Sequence, residues 1–451
     1  MQSLESSNSQ SSPAKPNVEP KAPTKASDKT TPLWMKAVVW LLRVVCGGVF
    51  IFSGWAKAVD PWGTVYKFQD YMAAMGLSFE YETIVAASFL MAALEFALGV
   101  MVLIGAFRRL SAWALLAFMA VMTPLTVWIY VADPVADCGC FGDALIISNG
   151  QTLAKNVVLL VLSVGLVLWN RRVACLIKPA VQWIALTATI LYPLLLSLYG
   201  YLIQPLHDFR PFPAGTPVAH IHDNASEPRF VYADAAGTER SFSADSLPDD
   251  SAWTFVRREQ PAVSAIDPNK QIAIIDADGD DITSDLMEES ANGMMLLCVS
   301  DPKAHGISRS RMANTLYTYL DDRDIPMVAV VATDSVPEWT DMVKAEYPVY
   351  SADDTDIKML VRGHAALVYV QNDTVRWKYS LYCISPEVVP VEDSDDNLSQ
   401  NRLSAIAPVE DSPVLSVLTG ALLIVLTVLM ALSLAFHRRK PARAESGGNV
   451  G

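Results

Sequence analysis

Histidine is scarce in this chain. There are six in 451 residues, and His207, His220, His222, His305 and His364 stand at spacings that form no metal-ligand motif. Cysteine is equally scarce, with six residues, too few and too scattered for a disulfide-rich scaffold. A basic face is missing as well. The formal net charge is −14, acidic residues crowd into roughly 207–410, and Lys and Arg collect in short loops beside apolar runs, which excludes a nucleic-acid-binding role. Residues 1–33 have almost no apolar side chains, so they cannot form a core and are expected to be a disordered cytoplasmic tail. The first apolar run starts too late for a secretory leader, and no convincing small-residue cleavage site follows it.

Apolar runs are what the chain has in excess. Hydrophobic residues make up 52% of it and the mean hydropathy is +0.27. A bilayer crossing needs about 20 such residues as a helix. Spans are expected at about Ala37–Ala56, Thr83–Phe107, Leu110–Val131, Thr152–Trp169, Val181–Ile203 and Val414–Phe436. Basic clusters flank them: Lys15 to Lys36 before the first, Arg108 and Arg109 between the second and third, Arg171, Arg172 and Lys178 between the fourth and fifth, and His437 to Arg443 after the last. With six crossings all four clusters share one side, which the positive-inside rule makes the cytoplasm. The expected setting is a multi-pass protein of a bacterial inner membrane, in contact with lipid, with both termini cytoplasmic. Segment 57–82, the loop between the third and fourth spans, and 204–413 then face the periplasm, where disulfides persist.

Asp60–Glu80 is too polar to span, and its apolar and aromatic residues fall near helical spacing. It predicts a short helix lying on the outer surface of the bundle. In 204–413, short strands are expected at Arg229–Tyr232 and Thr254–Arg257. From Gln271 the pattern reads strand (Ile272–Ile275), turn, buried strand (Met294–Val299), helix (Ser308–Asp321), strand (Pro326–Ala332), helix (Pro337–Glu346), strand (Pro348–Tyr350) and a short helix at Ile357 to Val361. A hairpin of Ala366–Gln371 and Thr374–Tyr379 closes it. That order predicts an α/β layer with a mixed sheet. Residues 384–413 are acidic and Pro-rich and read as a tether to the last span. The remaining 437–451 form a cytoplasmic tail.

Two cysteines sit one residue apart in Asp137-Cys138-Gly139-Cys140-Phe141-Gly142-Asp143, directly after an apolar run. A Cys-x-Cys disulfide closes a very small ring in poor geometry, so it is easily reduced or exchanged. Gly139 supplies the backbone freedom. Asp137 and Asp143 would raise a thiol pKa, while Lys57 and Lys155, at the outer ends of their spans, would lower it. A static disulfide or a Cu(I) or Zn site are the alternatives, the metal disfavoured by the lack of a His or Met cluster beside the pair in sequence. Arg43 and Glu95 are ionisable groups within spans, roughly 10 Å and 18 Å from the cytoplasmic ends at the helical rise. They are expected to pair inside the bundle or to serve a proton or quinone site. Cys46 and Cys175 read as bland, and Asp276 to Asp285 as a solvated acidic turn rather than an EF-hand.

Phe52-Ser53-Gly54-Trp55-Ala56-Lys57 followed by Asp60-Pro61 resembles the DoxX-like family. The Asp137–Asp143 motif leading into the fourth span resembles its branch containing the methylamine utilisation protein MauE. The resemblance covers about 35–170 and implies a four-helix membrane bundle over 34–172. MauE-type proteins are associated with maturation of a disulfide-rich periplasmic enzyme, and DoxX proteins with quinone-linked sulfur oxidation. Residues 271–380 resemble a thioredoxin-like fold. There Ser300-Asp301-Pro302-Lys303-Ala304-His305 carries no cysteine pair and Arg362-Gly363-His364-Ala365 lacks the proline that thioredoxins place before the last hairpin. Cys298 reads as a core residue, and Cys383 follows the last strand. The expected fold is an α-helical polytopic membrane protein with an inserted α/β thioredoxin-like soluble domain. The expected function is periplasmic thiol–disulfide exchange, or redox maturation of a periplasmic thiol protein, as a membrane thiol–disulfide oxidoreductase. Cys138 and Cys140 would be catalytic, supported by Asp137, Gly139, Phe141, Gly142, Asp143, Lys57 and Lys155, with a quinone as candidate carrier. The alternative is a non-catalytic membrane scaffold or assembly factor whose soluble domain binds a partner.

Overall fold

The computed structural model describes residues 32–135, 138–218, 229–233, 239–242, 253–259, 272–383, 403 and 406–438. The expectations for the N-terminal tail to residue 31, for Asp137, His220 and His222, for most of the 384–413 tether and for the tail from 439 fall outside them.

Among the described residues, six helices are long and apolar enough to cross a membrane. They are α1 (Leu33–Val59), α3 (Tyr81–Ile104), α4 (Arg108–Ala132), α5 (Asn149–Trp169), α6 (Gln182–Leu202) and α11 (Val414–Arg438). Each overlaps one of the expected apolar runs; α3 stops at Ile104, three residues short of the expected Phe107. Leu41, Leu90, Val121, Val161 and Leu434 stand exposed on them, as a lipid-facing surface requires. Small residues let α1 and α3 approach backbone to backbone. A Cβ built on Gly99 would lie 2.6 Å from the Ile51 nitrogen, and one on Gly47 would lie 2.9 Å from the Gly99 oxygen.

The described basic residues between the spans gather at one end. Arg108 donates to the carbonyls of Arg171 and Val173 at 3.1 Å, and the Lys178 N–H donates to Ser433 on α11 at 3.0 Å. At the other end lie a short strand, β1 (Cys140–Asp143), a helix, α2 (Pro61–Ala74), and the sheet region. The expected pairing of Arg43 with Glu95 does not occur. Arg43 is fully buried at the basic end and donates to the Asn170 side chain (2.7 Å) and to the carbonyls of Ala174, Asn170 and Val173 (3.1–3.2 Å). Glu95 pairs with Lys57 at 2.6 Å instead. Helical rise explains the exchange: Arg43 and Lys57 are about 21 Å apart along α1, and α3 runs so that Glu95 lies level with Lys57.

The expected surface helix is also corrected. Asp60 caps α2 by accepting from the Gly63 N–H at 3.2 Å, and Pro61 to Val65 are buried. Trp62 stacks on Tyr201 of α6 at 4.6 Å and donates to its carbonyl at 3.1 Å. The first turns of α2 are thus enclosed between the membrane helices and the sheet region, and only its second half is open.

The mixed sheet has strand order β7-β6-β5-β8-β9. Its members are β5 (Met294–Val299), β6 (Met327–Val331), β7 (Val349–Ser351), β8 (Ala365–Gln371) and β9 (Thr374–Ser380). β5 pairs parallel with β6 and antiparallel with β8. Every β5 residue is buried, because alternate side chains enter two cores. Met295, Leu297 and Val299 pack with Leu316 and Leu320 of α8 (Ile307–Asp321) and Trp339 of α9 (Val336–Val343). Met294, Leu296 and Cys298 pack with Leu286 of α7 (Thr283–Glu289) and Ile357 and Leu360 of α10 (Asp354–Leu360). Asn372 and Asp373 turn the last hairpin at φ 50° and 56°, the left-handed pair a type I′ turn needs. A separate antiparallel sheet has order β3-β2-β4: β2 (Arg229–Ala233), β3 (Glu239–Phe242) and β4 (Thr254–Glu259). β3 was not foreseen.

Ile272–Ile275 is not a strand; only isolated bridges form, from Ile275 to Ser351 and Asp281. Side chains take the backbone donors that a ladder would use. The Ile274 N–H donates to Thr283 Oγ1 at 2.7 Å and the Ala273 N–H to Asp356 at 3.1 Å. Asp276 Oδ1 accepts from the N–H groups of Asp278 and Asp280 at 2.9 Å, so that carboxylate closes its own turn.

Candidate functional site

The two cysteines are free thiols held in a loop clamped from three helices. Tyr71 of α2 donates to the Cys138 carbonyl at 2.6 Å. Lys57 Nζ donates to the Cys140 carbonyl at 2.7 Å, to Ser53 Oγ at 2.9 Å and to Glu95 Oε2 at 2.6 Å. The Ser53 hydroxyl lies 2.5 Å from the Cys140 carbonyl and 2.7 Å from Glu95 Oε2; its single proton serves one of them at a time. Gly139 and Gly142 take φ 61° and 56°, and the Gly142 N–H donates to the Gly139 carbonyl at 3.0 Å. A Cβ on Gly139 would come within 2.9 Å of Lys67 Cγ. Phe141 packs on Phe52 at 5.5 Å, and Lys155 of α5 lies over its ring at 4.1 Å.

This setting separates the two thiols electrostatically. The hydrogen bond from Cys138, with the positive charges of Lys155 and Lys57, lowers the Cys140 thiol to about 6 against the opposing effect of burial. Cys138 is raised by that same hydrogen bond and by burial, so it keeps its proton. Asp143, expected to oppose the thiolate, is engaged elsewhere. Arg362 of the sheet region binds both Asp143 and Asp60, the latter at 2.8 Å from Nη2. Burial works against the guanidinium charge, and the two carboxylates outweigh it and hold its pKa above the usual value.

Arg362 anchors the sheet region over the loop. Its carbonyl accepts from Gln204 at 2.8 Å, the Gly363 N–H donates to Tyr66 at 3.1 Å, and His364 packs edge-on to Trp62 at 5.4 Å and against Tyr81 at 5.0 Å. The loop after β5 contributes Asp301, 3.2 Å from His364 Nδ1. Further ties are Asp208 to Arg210 at 2.7 Å and to Lys378 at 2.8 Å, and the Ser380 N–H to the Ile203 carbonyl at 3.0 Å.

Beside the thiols is a cavity of about 370 Å³ between α2, α3 and α4. Its walls include Phe68, Met72, Ile84, Met91, Met122, Leu125 and Ile129, and Cys138, Cys140, Lys57 and Glu95 also line it. The methionines absent beside the pair in sequence are thus assembled around it from three helices. The other cysteines stand apart: Cys46 and Cys298 are buried within α1 and β5, Cys175 accepts from Gln182, and Cys383 donates to the Leu202 carbonyl.

Sequence reasoning missed Tyr71, Arg362 and the partnership of Ser53 with Lys57 and Glu95. Ser53 and Lys57 one turn apart, followed by the capping Asp60, were the available signal. Residues 35–170 match the family model described as methylamine utilisation protein MauE, a span that runs from α1 to α5 and includes both cysteines. Residues 226–265 match that of a domain of unknown function (DUF8463). No curated protein matches the chain.

Proposed function

We propose that Cys138 and Cys140 are a redox pair and that the protein passes disulfides between the membrane and a thiol protein on the outer side of a bacterial inner membrane. The observation that carries this reading is the geometry of the loop: two free thiols one residue apart, their carbonyls held by Tyr71 and Lys57 and both lining one cavity, with Lys57 and Lys155 placed to favour a thiolate at Cys140. An attacking thiolate with a resolving thiol beside it is what exchange requires. Lys57 and Ser53, through the Cys140 carbonyl, hold the loop in register. The name of the matched family points to methylamine utilisation; for this chain we carry over the class of chemistry alone. The cytoplasmic side is assigned to the end bearing the basic clusters.

We read 272–383 as a thioredoxin-like module, on the parallel β5-α8-β6 unit followed by the antiparallel β8-β9 hairpin. Its loop after β5 carries Asp301 in place of thiols, and that face is turned onto α2. It serves as a cap that fixes Asp143 and the loop rather than as an electron carrier. This docking also supports the second reading, a non-catalytic scaffold. Alkylation of the full chain after equilibration in thiol buffers of graded redox potential separates them. The redox reading expects Cys138 and Cys140 to interconvert together between dithiol and disulfide, with mixed disulfides trapped on the single-cysteine variant that retains Cys140. A pair locked in one state at every poise sinks it.

A further inference from the structure

No methionine or histidine stands beside the cysteine pair in sequence, but the fold brings methionines to it. Met72 of α2 packs in one apolar cluster with Cys138 and Cys140. Met122 of α4 lines the cavity together with both cysteines and, with Cys140, a second and smaller cavity. Met75 follows Met72 by three residues on α2, so the two share a face. Met75 also lines the cavity and is 41% exposed. Thioethers therefore stand both at the surface and beside the thiols.

Thiolate and thioether sulfurs are soft ligands that select Cu(I). The Cys138 and Cys140 sulfurs are hydrogen-bonded to each other. Atoms near enough to share a proton are near enough to chelate one ion, without the strained ring of a direct disulfide. Two thiolates with a monovalent ion keep one net negative charge. Lys155 offsets it, because its positive charge acts on both sulfurs. Lys57 contributes little net charge, since Glu95 pairs with it at 2.6 Å and acts on Cys140 in the opposite sense. Zinc fits less well. It takes four tetrahedral ligands, mostly thiolate, imidazole or carboxylate, and among the described residues no three His, Cys, Asp or Glu side chains are grouped to hold a metal. The cavity of about 370 Å³ exceeds the size of an ion, but unbranched methionine side chains are flexible enough to close on one.

We propose that Cys138 and Cys140 chelate Cu(I), with the thioethers of Met72 and Met122 completing the site. On binding, the two thiols release their protons to solvent and two Cu–S bonds form. No electron is transferred, and copper remains Cu(I). This site goes beyond the redox reading and needs only the reduced pair. The two uses of the cysteines exclude each other. A disulfide leaves no thiolate for the ion, and a bound ion leaves no free thiolate for exchange. Copper occupancy therefore silences the pair, and oxidation of the pair expels the ion.

The test uses the full chain in lipid nanodiscs, with Cys46, Cys175, Cys298 and Cys383 replaced by serine or alanine, reduced and kept free of oxygen. It is titrated with Cu(I) against the coloured chelator bathocuproine disulfonate. One Cu(I) per chain is expected, with sulfur ligands alone in the copper X-ray absorption spectrum and with Cys138 and Cys140 protected from iodoacetamide. Cys138→Ser and Cys140→Ser are each expected to abolish binding. Met72→Leu and Met122→Leu, which nearly conserve volume, are each expected to weaken it about tenfold, the low end of what losing a supporting group costs at a metal site. Met101→Leu, on α3 but outside the cavity, should bind like the parent chain. Zn(II) should neither displace the copper nor protect the thiols. Binding that survives either serine variant, nitrogen or oxygen ligands in the spectrum, parental affinity in both methionine variants, or equal protection by Zn(II) overturns the site. Thiols that interconvert with graded redox buffers yet bind no copper overturn it and leave the redox pair standing. Thiols that stay reduced at every poise and bind copper remove the redox pair and leave the site. A pair locked as a disulfide removes both.

Discussion

Replacing Arg362 with glutamine should release the capping module from the membrane helices. The Arg362 and Asp60 side chains are 5% and 2% exposed, and Nε and Nη2 donate to the Asp60 carboxylate at 3.1 Å and 2.8 Å while Nη2 also binds Asp143. Removing one partner of a buried ion pair costs about 3–5 kcal/mol, because the other charge stays buried without compensation. The buried Asp60 is the carboxylate stranded here; Asp143, 27% exposed, keeps water. Since these contacts join the sheet region to α2 and β1, the cost falls on docking, a shift of roughly a hundred- to several-thousand-fold in that equilibrium. Hydrogen–deuterium exchange on the full chain reads it directly: protection at 61–66 and 362–364 should drop while that of β5 and β8 persists. Lys344→Met, which breaks the exposed pair with Asp341 (71% and 83% exposed), should leave all of these unchanged. Wild-type exchange at 61–66 and 362–364 in Arg362→Gln would refute the reasoning.

Glu95→Gln should lower thermal stability by about 3–5 kcal/mol by leaving Lys57 buried without its carboxylate, whereas Lys57→Met with Glu95→Met should recover most of the loss in the same melting experiment. The double variant also removes the Lys57 charge that favours the Cys140 thiolate, so alkylation of Cys140 at neutral pH should be slower in it than in the wild type. His305 is fully buried with neither ring nitrogen partnered, and burial, aided by the Arg309 charge, lowers it from 6.5 to about 4. Between those two pH values the unfolded chain takes up a proton that the folded one refuses, so stability should fall as pH drops through that window. His305→Leu should flatten this dependence in melts taken at pH 7.5 and 5, and an unchanged slope would contradict it.

Much of the scaffold was legible because its signals are local. Six apolar runs and the basic residues between them do not depend on distant partners, and the hydrophobic runs of β5, β6 and β8 were visible for the same reason. What escaped depends on three-dimensional convergence. Glu95 was matched with Arg43 because both are charges within spans, yet the helical rise sets them at different depths and hands Glu95 to Lys57. Arg362 meets Asp60 from 302 positions away, and no local pattern encodes that. Ile272–Ile275 has the composition of a strand, but Thr283 and Asp356 claim its backbone donors. The methionine walls beside the thiols come from three helices, so a search for a nearby Met cluster in sequence could not find them. The Cys-x-Cys motif itself was plain, while the asymmetry between its two sulfurs required their hydrogen bond and the positions of Lys57 and Lys155.

That asymmetry is where the account is most directly exposed. In the full chain with Cys46, Cys175, Cys298 and Cys383 replaced by serine or alanine, the iodoacetamide alkylation rate of Cys140 is followed against pH, with mass spectrometry assigning the labelled thiol. The folded thiol stands below an ordinary one, so the thiolate should persist as pH falls and be lost only through a midpoint near 6. Cys138→Ala, which removes the hydrogen bond, should move that midpoint upward more than Cys138→Ser, which keeps a donor. A midpoint for Cys140 in the ordinary thiol range of about 8.5, insensitive to Cys138, would contradict the central claim.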